Sequence, residues 1–423
     1  MEFTKYRLGD IADIKISGVD KKTTPGEQSV RLCNFVDVYR NWAINKELYD
    51  SFMVATANDN EISDFTIHKG QVAITKDSET RDDIGIATYI SDDFEEPVVL
   101  GYHTALITPN EDIILGKYLN ALLHTKYFHD YWYNNASGSG MRYTLSELSM
   151  RNAVVLLPSI NTQRIASGFL SSIDKKIAIN RRINERLEGM AKLLYDYWFV
   201  QFEFPNEEGK PYKSSGGKMV WNEKLKREIP EGWEVKKIGD ITKDDLEQIN
   251  PSDNPDKLYR HFSIPAYDTN HYYTLERGKT ILSDKYVLTQ DDIIVSKLNP
   301  WVSRVIWGMD LENAICSTEF VSLTPINNVE KGFVYFCAKS LPFISYCTKA
   351  STGTSHSHRR VNPNIMRKYP IPYNHEVLSK FSSMVNPLAE MIMMNLENNY
   401  CLTEVRDFLL PMLMNGQVEI KEK

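Results

Sequence analysis

The chain has 423 residues, 42% hydrophobic and 25% charged, with a formal net charge of −7. Those fractions exclude a disordered or fibrous chain, and the length allows two or three domains with cores of their own. No uncharged apolar run reaches the ~18 residues of a membrane span, and the opening Met-Glu-Phe-Thr-Lys-Tyr-Arg-Leu-Gly-Asp lacks the apolar stretch of a secretory signal.

Taken in chain order, residues 1–158 read as a mixed α/β globular domain. Short β-rich runs such as Gln71-Val-Ala-Ile-Thr and Ala105-Leu-Ile-Thr alternate with Gly, Pro and Asp turns. Residues 159–204 follow as one long helix. Its apolar residues Ile165, Phe169, Ile173, Ile177, Ile183, Leu187, Met190, Leu194 and Tyr197 keep a 3/4 spacing, with Asn180 as a polar interruption. Residues 205–232, rich in Pro, Gly and charge, read as a connector. A second α/β domain spans 233–372, and a second helical pattern fills 373–423, with Phe381, Met384, Leu388, Ile392, Leu402, Val405, Leu409 and Met412 as its stripe. Pro387 lies inside that pattern and predicts a late start or a kink.

The second half repeats the first. Phe3–Ile11 (F-T-K-Y-R-L-G-D-I) returns as Trp233–Ile241 (W-E-V-K-K-I-G-D-I), and Phe65–Lys76 returns as Tyr286–Lys297. Thr108-Pro109 returns as Thr324-Pro325, Ala136-Ser-Gly-Ser-Gly as Ala350-Ser-Thr-Gly-Thr, and Met150-Arg151 as Met366-Arg367. All five matches keep their order, which predicts a duplicated unit. Helices of about 40 residues would be about 60 Å long, more than one domain needs, so they are expected to pair as an antiparallel coiled coil. Asn395 stands 215 residues after Asn180. In a pseudo-two-fold antiparallel pair, central equivalents face each other, so Asn180 and Asn395 are expected to meet in the helix core.

Motifs for enzymatic chemistry are missing from the sequence. Ser214-Ser-Gly-Gly-Lys218 is close to a phosphate loop, but Tyr212 replaces its first glycine and Met219 its magnesium-binding hydroxyl. Asn299-Pro-Trp-Val302 lacks the second proline of the N-P-P-aromatic motif of amino-methyltransferases. Pro255-Asp256 has no following two-carboxylate nuclease set, and His356-Ser-His358 sits in a Ser/Thr/Arg loop without further ligands. The five cysteines (Cys33, Cys316, Cys337, Cys347, Cys401) never form C-x-x-C, which fits buried thiols in a reducing cytosol. No catalytic residue, cofactor site or metal site is therefore expected, and a binding protein is favoured.

Charge by segment suggests what is bound. From Lys331 to His375 the chain carries Lys331, Lys339, Lys349, Arg359, Arg360, Arg367 and Lys368 with no Asp or Glu. Within it, Ser351-Thr-Gly-Thr-Ser-His-Ser-His-Arg-Arg360 ends a small-residue loop in two guanidinium groups. Such a loop lets backbone approach a phosphate chain, and Arg also reads guanine edges. The first half offers the weaker Ala136-Ser-Gly-Ser-Gly-Met-Arg142-Tyr143, and the first long helix adds Lys175, Lys176, Arg181, Arg182 and Arg186.

With the repeated L-G-D-I (8–11) and I-G-D-I (238–241), Lys76-Asp-Ser-Glu-Thr, Ile229-Pro-Glu-Gly-Trp233, and the two Gly-rich closures each followed by a long helix, the chain resembles the specificity subunits of type I restriction-modification systems. The resemblance covers nearly the whole chain. It implies two target recognition domains, each reading one half of a bipartite double-stranded DNA sequence, and an antiparallel helical spacer between half-sites. It also implies two modification subunits carrying S-adenosylmethionine and methyl transfer, and ATP- and magnesium-dependent restriction subunits. The chain itself would be non-catalytic, hold no cofactor, reside in a prokaryotic cytoplasm and possess apolar surface that could pair it with a second copy when isolated. The expected DNA-binding residues are Lys76, Ser139, Arg142 and Tyr143 in the first domain, and Lys297, Thr354, His356, His358, Arg359 and Arg360 in the second. Two other readings stay open from the residues alone: a coiled-coil scaffold, and a two-domain cytosolic enzyme not acting on DNA.

Overall fold

The computed structural model describes residues 2–138, 140, 142–353 and 358–418. It divides into two compact units, Met1–Ala178 with Cys401–Lys423, and Ile179–Tyr400. Each unit holds one mixed α/β globular part and a portion of both long helices.

In the first unit, a five-stranded sheet runs in the order Ala12–Ile16, Thr104–Pro109, Val72–Thr75, Ala87–Ile90, Ala43–Ile44. Val72–Thr75 and Ala87–Ile90 are buried along their whole length, so these strands are apolar or hydroxylic at every position. Thr4–Arg7 pairs antiparallel with Val154–Leu157, tying the start of the repeat to its end. The core packs these strands against the helices Gly116–Leu123 and Lys126–Asn135, with Trp132, Tyr118 and Phe128 fully buried. Leu410, Leu413 and Met414 of the second long helix join Ala166 and Leu170 of the first in that core.

The second unit uses the same parts. Glu234–Lys237 pairs antiparallel with Pro370–Tyr373, Ile293–Ser296 lies between Val305–Trp307 and Phe320–Ser322, and Lys331–Ala338 and Leu341–Lys349 repeat the helix pair. The recurring L-G-D-I and Met-Arg pieces touch in both units. A Cβ on Gly9 would lie 2.8 Å from Cβ of Arg151, and one on Gly239 would lie 2.9 Å from the Arg367 carbonyl oxygen. Arg151 donates to the Ile14 carbonyl, and Arg367 donates to those of Gly239 and Thr242. The two short motifs recur together because each glycine makes room for the other motif's arginine.

Residues 205–232 are more than an open connector. Met219–Asn222 and Arg227–Pro230 form an antiparallel hairpin, and Phe204 stacks on Tyr212 at 4.7 Å between ring centroids and packs on Trp233 at 5.0 Å. Within the part resembling a phosphate loop, the Ser214 N–H donates to Glu203 and Lys218 pairs with Glu231. Aromatic anchors at both ends hold down a segment whose composition alone reads as loose.

The first long helix spans Ile160–Tyr195 and continues as a π-helical turn over Asp196–Val200; the second spans His375–Met414 and passes through Pro387 unbroken. Their buried faces differ from the apolar stripes of the sequence. Phe169, Ile183, Met190 and Tyr197 on the first and Met384 and Val405 on the second are exposed, whereas Gln163, Ser167, Asn180 and Asn184 are buried. Polar residues take core positions here, so a count of apolar side chains shifts the stripe off the true seam. Within the second unit the helices pair antiparallel, but Asn180 and Asn395 do not bond each other. Asn180 donates to Asn399 at 2.9 Å and Asn395 donates to Asn184 at 2.8 Å. A shift of 215 residues turns Asn180 and Asn184 into Asn395 and Asn399, so the four amides form one set related by the repeat. The helices cross between the equivalent residues, which places each Asn opposite its equivalent's neighbour.

Candidate nucleic-acid interface

In the first unit the buried strand Val72–Thr75 runs on into Lys76 and the short strand Asp77–Ser78. That strand pairs with Tyr143–Thr144, which pairs with Ser137–Gly138. The Lys76 N–H donates to the His103 carbonyl (2.9 Å), and the Leu145 N–H donates to that of Lys76 (2.7 Å). Residues far apart in sequence thus meet in one small three-stranded platform. A Cβ on Gly138 would fall 2.0 Å from the Arg142 carbonyl oxygen, so the tight return of this hairpin requires glycine.

Asp77 is the hub of the platform's charge. Its carboxylate accepts from Lys76 Nζ (2.8 Å), Thr144 Oγ1 (2.5 Å) and His103 Nδ1 (2.6 Å). Burial pushes this carboxyl upward, yet the hydrogen bonds from Lys76, Thr144 and His103 outweigh burial and hold it below the usual carboxylate range. With Nδ1–H committed to Asp77, Nε2 of His103 is the acceptor for Arg142 Nη2, 2.7 Å away. Arg142 keeps 57% of its side chain exposed. Arg81 lies over the Tyr143 ring at 5.0 Å.

The second unit repeats the backbone and changes the side chains. Lys297 donates to the Glu319 carbonyl (2.9 Å) and accepts from the Val361 N–H (3.0 Å), as Lys76 does with His103 and Leu145. Arg360 bridges to Leu298 on one side and Thr352 on the other, giving the same three segments. Gly353 again sits where a Cβ would crowd a carbonyl, 2.7 Å from that of His358. By these bonds Leu298 stands where Asp77 stood and Glu319 where His103 stood. The carboxylate has moved one segment over. Glu319 now takes both Nε and Nη2 of Arg360, at 2.9 and 3.1 Å. Arg359 is held by Asn299, whose side-chain oxygen accepts the Arg359 N–H (3.0 Å) while its own N–H donates to the Arg359 carbonyl (2.7 Å).

The structure brings Lys76, Arg142 and Tyr143 onto one platform and Lys297, Arg359 and Arg360 onto the other; His358 is exposed beside the latter. Ser139, Thr354 and His356 lie outside the described residues. Lys76 is only 16% exposed and engaged with Asp77, so it positions its neighbours more than it reaches outward.

The basic stretch from 331 to 375 is partly structural. Lys331 is buried and donates to the carbonyls of Gln290 and Gly308, Lys339 pairs with Glu188 at 2.8 Å, and Arg367 serves the repeat contact described above. The acceptors that neutralise them lie outside the segment, where a count by segment cannot see them. The helix cations Lys175, Lys176, Arg181, Arg182 and Arg186 are exposed. Sequence reasoning missed Asp77, His103, Asn299 and Glu319. Asp77 and Asn299 lay within motifs already noticed, whereas nothing local marked His103 or Glu319.

Among the described residues no group of three or more His, Cys, Asp or Glu could hold a metal ion, and no helix is long and apolar enough to cross a membrane. Residues 1–189 match the family described as type I restriction modification DNA specificity domain. The type I restriction enzyme MjaIX specificity subunit of Methanocaldococcus jannaschii is 29% identical over 332 residues, covering 74% of this chain and 71% of the relative. The HindI specificity subunit of Haemophilus influenzae is 22% identical, covering 99% of this chain and all of the relative. The crystal structure of a type I restriction-modification system S subunit from M. genitalium shares the fold, with a TM-score of 0.54 at 14% identity over 100% of this chain and 97% of that one. Domain match over residues 1–189, two similar relatives and a shared fold agree with the repeated platforms: the chain is similar to the specificity subunits of type I restriction-modification systems.

Proposed function

We propose that each platform, with the small-residue loop that closes it, reads one half of a bipartite double-stranded DNA target. The observation that carries this reading is the recurrence of one backbone arrangement in both units, each presenting an arginine from the end of a Gly-containing hairpin. Arg142 in one unit, and Arg359 and Arg360 in the other, are suited to phosphate contact and to guanine edges. Ser139, Thr354, His356 and His358 are neighbours of these arginines in sequence and are assigned to the same role. The long helices set the distance between half-sites and dock two modification subunits. The exposed apolar residues Met190, Leu193 and Met394 of the second unit offer surface for that docking, or for a second copy of the chain when it is isolated.

In this reading the chain is non-catalytic. S-adenosylmethionine belongs to the modification subunits, ATP and magnesium to the restriction subunits, and the assembly works in a prokaryotic cytoplasm. The test is co-expression with a type I modification subunit of the same host, followed by methylation-sensitive sequencing of the host DNA. Adenine marks in a two-part motif with a fixed gap are the expected result. A stable complex that leaves methylation unchanged overturns the reading.

A further inference from the structure

The turn Asn299-Pro300-Trp301-Val302 is built to hold an apolar tip in place. Asn299 adopts a left-handed backbone (φ 48°), which Asn tolerates, and its carbonyl accepts the Val302 N–H at 2.9 Å. Pro300 at the first central position presets the turn and is buried. The turn is clamped from two further sides. Asn299 exchanges two hydrogen bonds with Arg359, and Arg304 holds the Leu298 carbonyl (3.2 Å) while paired through both Nε and Nη2 with Asp268. From this frame Trp301 and Val302 stand 41% and 40% exposed.

A single exposed apolar side chain means little. Two adjacent ones on a turn fixed to Arg359, which donates to the Ser351 carbonyl, and next to Arg360, which pairs with Glu319, are different, because they share a rigid frame with the arginines proposed above to meet DNA. We infer that Trp301, with Val302 beside it, is a specificity-determining contact that reads a thymine 5-methyl group in the second half-site. Apolar contact with that methyl is how an uncharged side chain distinguishes T·A from C·G in the major groove. The first platform carries Arg81 over Tyr143 next to Asp77–Ser78, so the two half-sites are read with different chemistry on one backbone plan.

This inference rests on the DNA-reading role proposed above, and its test separates the two. The complex with the modification subunits is assembled, and its target is taken from the methylation sequencing. Duplexes then carry deoxyuridine in place of each thymine of the second half-site in turn. Wild type is expected to bind about three- to tenfold more weakly at one position, a loss suited to one methyl contact. Trp301→Ala should show the same loss on thymine DNA, be indifferent to uracil there, and keep the wild-type salt slope, since no counterion is released through an indole. Trp301→Phe should retain most of the discrimination. Arg360→Ala should change the salt slope and keep the uracil effect.

A second half-site with no thymine on either strand overturns the inference before any variant is made. Unchanged binding by Trp301→Ala overturns it too, as does a loss that no uracil substitution reproduces, and both leave the DNA-reading role intact. An assembled complex that binds no DNA overturns both.

Discussion

Asn180 and Asn399 share a buried side-chain hydrogen bond, with Nδ2 of Asn180 donating to Oδ1 of Asn399 at 2.9 Å. Asn184 and Asn395 form its equivalent at 2.8 Å, and Asn184 also donates to the Ile392 carbonyl at 3.1 Å. Two polar layers stacked in a helix seam cost hydrophobic burial but penalise any slipped register, which would strand amides against apolar partners.

Removing one member is therefore expected to cost more than removing a pair. Asn180→Leu leaves the Asn399 carbonyl oxygen buried without its donor, a loss of about 1–3 kcal/mol. Asn180→Leu with Asn399→Leu is expected to recover most of that. Urea unfolding of both single variants and the double variant gives the coupling directly. Additive losses would show that the amides act independently.

Glu319 holds Arg360 through two hydrogen bonds, so the guanidinium, 48% exposed, reaches the solvent as one member of an ion pair. Glu319→Gln keeps the size of the side chain and removes its charge. Non-specific DNA binding by the assembled complex is expected to tighten severalfold at low salt, with a salt slope steeper by about one unit. Preference for the cognate site should fall, because the bidentate carboxylate no longer fixes the direction of Arg360. A titration from about 50 to 200 mM salt on cognate and scrambled duplexes checks both effects. Arg359→Ala with Arg360→Ala should do the reverse, weakening binding and flattening the slope.

Asp77 links stability to pH. Its carboxyl is held below the ordinary range because hydrogen bonds from Lys76, Thr144 and His103 outweigh burial. The folded state therefore binds fewer protons here than the unfolded chain. Its contribution is full above the unfolded value near pH 4 and is lost as pH falls through that value toward the folded one. Asp77→Asn is expected to destabilise the protein by about 1–2 kcal/mol at pH 7. The gap to wild type should narrow as pH falls below about 4, the unfolded value. A gap that stays constant as the acid range is traversed would show that the charge of Asp77 is not what stabilises the platform.

Repeats, long helices and the loops that close each platform are legible in the sequence because they rest on local pattern. Gly9 with Arg151 and Gly239 with Arg367 recur as short words, and Gly138 and Gly353 mark hairpins by composition. What sequence does not disclose is pairing at a distance. His103 reaches Arg142 only through the meeting of two loops, and Glu319 reaches Arg360 across 41 residues. Lys331, Lys339 and Arg367 count as free cations along the chain until the fold supplies carbonyls and Glu188. The helix seam is legible in part: the repeat places Asn180 in the core, but it does not disclose that Asn180 pairs with Asn399 and that Asn184 pairs with Asn395.

Lys331 gives a pH effect of the same sign in an alkaline range. Its ammonium is buried, donates to the Gly308 carbonyl at 3.1 Å and lies 4.0 Å from the centroid of the Trp307 ring. Burial pushes its pKa down to about 8, with Asp291, Asp292 and Glu390 opposing only in part. Between that value and the unfolded value near 10.4 the unfolded chain binds more protons, so the contribution of this residue to stability rises with pH. Lys331→Met removes the titration while leaving a side chain of similar length among the same apolar neighbours. The stability of wild type relative to Lys331→Met is expected to climb by on the order of 1–3 kcal/mol from pH 7 to pH 10. Denaturant unfolding of both proteins at pH 7, 8, 9 and 10 measures it. A difference that is flat, or that falls with pH, would mean that Lys331 stays fully charged in the fold and that its carbonyl partners and the indole face compensate its burial.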